Sequence, residues 1–209
     1  MKRLLCITLA CICILIPSIT PASAVDVVYD ISYWYSDASE IGYWANKNIN
    51  VYVTSQSTYS SLTTTQIRSY LATAKNSWYC TKARFNYVSH ESNANITVSG
   101  ITRAAANNLG FAPNTAGIAL ITHSGKIGTL MYGASEKGLD RIRSAKVYLI
   151  QSQATSTNAG AKAVAVHEIG HALGYFGHYN SGNIMTTYYE NITSVVPSTN
   201  ERKHLAQIN

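Results

Sequence analysis

Cysteine is scarce: of four in 209 residues, Cys6, Cys11 and Cys13 fall in the first 13 positions, and Cys80 stands alone in the rest. One thiol cannot close an internal disulfide, so a small disulfide-stapled scaffold is excluded for the body of the chain. Charge is sparse as well. Only 12% of residues are Asp, Glu, Lys or Arg, and the formal net charge of +6 comes from scattered basic residues, so no patch implies a nucleic-acid partner. With four prolines, no internal repeat and no Pro/Gly/Ser-rich linker, nothing divides the chain, and a single domain is expected. Long apolar runs are missing except at the start, where Leu4–Ile16 spans 13 residues. That is short of the ~20 residues a membrane-spanning helix needs. Preceded by Lys2 and Arg3 and followed by Pro17 and then Ala22-Ser23-Ala24, it has the form of a signal peptide cleaved after Ala24. The expectation is a secreted, extracellular protein with no stable membrane anchor. Residues 1–24 are the signal peptide, 25–42 an N-terminal arm, and 43–209 the functional domain.

The remainder is rich in Ser, Thr, Asn and Tyr, and its periodicities alternate between strand and helix. Ile49, Val51 and Val53 alternate with polar residues over Asn48–Thr54, the pattern of a half-buried strand. Thr63-x-x-Gln66 has the form of a capping box, opening a helix to about Tyr79 with Ile67, Leu71, Ala74 and Trp78 on one stripe. Short strands are expected at 85–88, 94–98, 117–122 and 145–150. A second helix is expected at 159–173, and a third starts from the Ser198-x-x-Glu201 cap.

That second helix carries the chemistry. His167-Glu168-Ile169-Gly170-His171 places two imidazoles four residues apart, on one helical face, where both can offer nitrogen to one small cation. Glu168 lies one position round, flanking such a cation without binding it, where a carboxylate can accept a proton from water. Such a pentapeptide also occurs on ordinary helices. A zinc site that does chemistry has three protein ligands and an open position. Gly174 can end the helix in the left-handed conformation and turn the chain back, and His178 follows. No Asp, Glu or Cys lies between Gly174 and Met185 to compete with it. His90, His123 and His204 fit no ligand pattern and are expected to be solvated or hydrogen-bonded surface residues.

The run from His167 to Gly174 resembles the metzincin metallopeptidases, whose pattern is H-E-x-x-H-x-x-G-x-x-H followed by a methionine turn. Here the third histidine comes one residue late, with Gly177 in its usual place. The order of elements, with Trp44 just ahead of a strand, resembles the matrixin catalytic domain within that group. The resemblance implies an α+β fold: a twisted, mostly parallel five-stranded sheet with an antiparallel edge strand, three helices, and a zinc cleft between upper and lower subdomains. It implies one catalytic Zn²⁺ on His167, His171 and His178, Glu168 as general base toward a zinc-activated water, and Met185 in the turn beneath the metal. The segment Leu109–Pro113 resembles the approach to the family's edge strand, which makes Gly110 and Phe111 substrate-binding candidates, and Tyr188 joins them as part of the pocket wall after the Met-turn. The function implied is a secreted zinc endopeptidase, acting as a monomer on protein or peptide substrates. The alternative is a zinc-containing binding or adhesion module with a degenerate peptidase site.

Overall fold

A computed structural model describes residues 27–56, 62–179, 183–187 and 194–208. Seven strands form one sheet: β1 (Val27–Ile31), β2 (Glu40–Tyr43), β3 (Asn48–Ser55), β4 (Arg84–Tyr87), β5 (Ile96–Ile101), β6 (Gly117–Tyr132) and β7 (Ser135–Ile150). Their order is β1-β6-β7-β5-β3-β4, with β2 also paired to β7. β2, β3, β4, β5 and β7 run parallel; β6 runs antiparallel to β7, and β1 runs parallel to β6. Among the described residues four α-helices accompany them: α1 (Thr64–Ser77), α2 (Arg103–Asn108), α3 (Asn158–Ala172) and α4 (Thr199–Ala206).

The α+β class and the mostly parallel sheet with an antiparallel strand are as expected; the described residues differ in holding more than five strands, a helix at Arg103–Asn108 beyond the three expected, and β1 beside the outer half of the antiparallel strand. β1 and β2 lie in the segment read as an arm, and each pairs with residues nearly a hundred positions away, Val27 opposite Gly128 and Glu40 opposite Gly138. β6 and β7 are 16 residues each, far longer than the short runs expected, and meet at a two-residue turn where Gly133 takes φ +58°. In their outer halves exposed residues such as Lys126, Tyr132 and Glu136 alternate irregularly with buried Leu130, Leu139 and Ile142, and the register shifts around His123, Lys126 and Gly128. Such polar, irregular strand carries no period-2 apolar signal.

Local rules account for the helices. Both bonds of the Thr63/Gln66 capping box are present at α1, and both bonds of the Ser198/Glu201 box at α4. Each such cap is worth about 1 kcal/mol. α1 buries Ile67, Tyr70, Leu71 and Ala74. α3 is buried around nearly its whole circumference, because it is packed between α1 and the sheet strands β6 and β7. A helix in that position has almost no solvent face, which is why, apart from Lys162 and the His167–Glu168–His171 group, it is built largely of small and apolar residues. Two tryptophans tie it down: Trp78 Nε1 donates to the Val166 carbonyl and Trp44 Nε1 to that of Ala172, both at 2.8 Å. Val166 and Ala172 flank the histidine pair, so these bonds fix the height and rotation of the helix that presents it. Among the described residues no helix is long and apolar enough to cross a membrane.

Candidate metal centre

α3 delivers His167, Glu168 and His171 together, and its end delivers the third imidazole. Gly174 takes φ +118°, the N–H of Tyr175 returns to the Gly170 carbonyl at 3.0 Å, and the N–H of Gly174 to that of His171 at 2.9 Å. This is a Schellman ending, and it needs glycine at the left-handed position. The chain then reverses through buried Tyr175 to His178. One ligand nitrogen from each of His167, His171 and His178 lies within 4.8 Å of the other two.

Hydrogen bonds set the tautomers. His167 Nδ1 is 2.6 Å from the Ile184 carbonyl oxygen and His171 Nδ1 is 2.7 Å from that of Tyr175. A carbonyl only accepts, so each Nδ1 carries the proton and each Nε2 is bare. These two bare nitrogens face one another 3.0 Å apart. Burial pushes His167 down to about 4, with the neighbouring His178 acting in the same direction, and pushes His171 well below its ordinary value. His178 is lowered too, again chiefly by burial. Two neutral rings with lone pairs turned on each other repel unless a cation sits between them. The donor set therefore fits a divalent metal, and three imidazoles suit zinc.

Glu168 is 6% exposed, and burial raises its carboxyl to about 8. The start of β6 lies directly over it: a Cβ added to Gly117 would stand 2.7 Å from Glu168 Oε1, so only glycine lets the strand approach this closely. An open cleft of about 1320 Å³ runs past the triad, bounded by residues 113–119 of the edge segment, Gln151–Ala154, Val164 and Thr186–Thr187. Arg103 braces its rim by donating to the carbonyls of Ala112 and Thr115.

Met185 is fully buried, and its backbone N–H donates to Glu201 Oε1 at 2.7 Å. The other oxygen of Glu201 accepts the N–H of Ser198 at 2.6 Å, so one carboxylate both caps α4 and holds the methionine turn. The capping signal is visible in the sequence; the second bond, to a residue 16 positions away, is not.

A family model, the matrixins, matches residues 43–208. The chain belongs to the matrixin family. No match among curated proteins accompanies it. Matrixins are zinc metalloproteases, so the family places the His triad and the cleft in a peptide-hydrolase setting.

The remaining expectations fall unevenly on this matrixin domain. Phe111 belongs to a small second core with Ile101, Ala106 and Ile150, its ring 5.4 Å from that of Tyr148, and neither it nor Gly110 lines the cleft; Pro113 onward does. Tyr188 lies outside the described residues, as do residues 1–24, the segment expected to be a signal peptide. His204 is not a surface residue. It is fully buried, and its Nδ1 accepts the N–H of Tyr35 at 3.2 Å. Its position on the inner face of a short, polar helix hid this, since eight residues give too little periodicity to assign faces.

Proposed function

We propose that this matrixin is a secreted, monomeric zinc endopeptidase in which His167, His171 and His178 hold the metal and Glu168 is the general base. The observation that carries the reading is the pair of proton-free Nε2 atoms facing each other at 3.0 Å with the His178 ring alongside. Bound there, zinc would supply Lewis-acid polarisation of the scissile carbonyl and acidify the attacking water.

The chain's own residues do the rest. Glu168 sits at the cleft with its carboxyl raised to about 8, the range in which a carboxyl can both take a proton from water and return one to the departing amine near neutral pH. Among the described residues the edge of β6 beginning at Gly117 is not covered by β1, which pairs with Gly128–Tyr132, so an extended peptide can add to it as a strand beside Glu168. Thr186 and Thr187, next to Met185, supply part of the wall against which a substrate side chain rests. Secretion rests on the signal-like residues 1–24, and residues 43–209 form the catalytic domain on this reading.

The test is cleavage of a mixed peptide library by wild type and Glu168→Gln, with zinc content measured on both. The variant should keep its zinc and lose at least about 100-fold in turnover. Equal turnover would remove Glu168 from the mechanism.

A further inference from the structure

We propose that Asp37 is the positioning residue for the third ligand, and that the segment Tyr35–Gly42 is the brace that lets this chain place a histidine one residue late. The inference rests on His178 being a metal ligand. His167 and His171 are fixed by their own helix and by carbonyls of Ile184 and Tyr175, whereas His178 sits on the turn beyond Gly174, with one residue more than the usual spacing. A ligand on a lengthened loop needs support from outside the loop to hold its geometry.

The support comes from ahead of residue 43, outside the span that matches the family. Gly42 N–H donates to the Gly174 carbonyl at 2.9 Å, and the Ser36 hydroxyl to that of Phe176. At the ligand itself the contact is reciprocal. Asp37 N–H donates to the His178 carbonyl at 2.9 Å, and His178 N–H donates to Asp37 Oδ1 at 2.6 Å. The second is a charge-assisted bond, stronger than one between neutral groups. The extra residue fits beneath it because it is glycine: Gly177 takes φ +72°, and a Cβ there would lie 2.3 Å from Asp37 Oδ1 and 2.7 Å from the Ala38 nitrogen. Insertion, glycine and acidic brace thus form one device.

The experiment measures zinc release into excess chromophoric chelator from the full mature chain, as wild type, Asp37→Ala and Asp37→Asn, with thermal unfolding of each metal-free protein. Asp37→Ala should release zinc about five-fold faster or more, the loss of one hydrogen bond to a charged group. Asp37→Asn keeps an oxygen acceptor but not its charge and should release zinc at a rate between wild type and Asp37→Ala, while the metal-free proteins melt together. Equal release by wild type and Asp37→Ala overturns the positioning role and leaves the zinc assignment standing. So does a metal-free Asp37→Ala protein that melts well below wild type, which would make the contact a general stability element, or an Asp37→Asn variant as fast as Asp37→Ala. A wild type that binds no zinc overturns this inference and the proposed function together.

Discussion

His167 Nδ1 and the carbonyl oxygen of Ile184 stand 2.6 Å apart, joining the first ring of the triad to the turn that contains Met185. The next residue along that turn is anchored to α4 through Glu201, so the metal centre is supported from the C-terminal helix as well as from its own.

Removing that anchor should therefore be felt at the metal. Glu201 is fully buried, and Glu201→Ala strands the N–H groups of Met185 and Ser198 together. The expected loss is about 2–4 kcal/mol, a fall in melting temperature on the order of 5–10 °C. Zinc release should quicken as well, because Ile184 no longer holds the His167 ring. A melting curve and a chelator trace on the variant check both; an unchanged release rate would separate the turn from the ligand.

Two glycines with nearly equal backbone angles should respond differently to the same change. A Cβ placed on Gly125 (φ +80°) would meet nothing within 4 Å, while one on Gly177 (φ +72°) would meet Asp37 and Ala38. Gly125→Ala should cost only the left-handed penalty, about 1–2 kcal/mol, and leave zinc binding alone. Gly177→Ala should cost more and weaken the metal. Denaturant midpoints and zinc affinities of the two proteins decide it, and equal effects would contradict the account of the third-ligand loop.

Acid sensitivity should come in part from His204, buried with its ring 4.8 Å from that of Tyr175. Burial lowers it from 6.5 to about 3, with Lys137 adding in the same direction. The folded state therefore resists a proton that the unfolded chain accepts, so stability from this group is whole above about pH 6.5 and declines as pH falls from there toward about 3. The slope is about 1.4 kcal/mol per pH unit within that window. His204→Gln, which retains an acceptor for Tyr35, should flatten the stability profile between pH 6 and 4 in the metal-free protein. A slope equal to wild type would mean that another group carries the acid response.

What could be read from sequence was what is written locally. The capping boxes at Thr63 and Ser198 each occupy four residues, and the His167-to-Gly174 run states ligand spacing and helix end together, so these features appear where expected. The pairing of β1 with β6 and of β2 with β7 joins segments about a hundred residues apart, through short strands whose own sequence has no alternation to announce them. The same holds within the site. Glu168 is a candidate from the sequence because it stands one position from His167, whereas Asp37, 141 residues before His178, becomes visible only when the fold brings the two together. Phe111 shows the reverse case: the segment resembles the family's, but its ring packs against a small core of Ile101, Ala106 and Ile150, outside the lining of the cleft.

If three histidines from α3 and the turn after it hold one zinc ion, metal stoichiometry and affinity on wild type and His178→Ala will show it. The account predicts one zinc per chain in wild type and a loss of affinity of at least about 100-fold in the variant, since two imidazoles remain where catalytic zinc requires three protein ligands. Unchanged affinity in His178→Ala would show that the displaced histidine is not a ligand and would contradict the site as described.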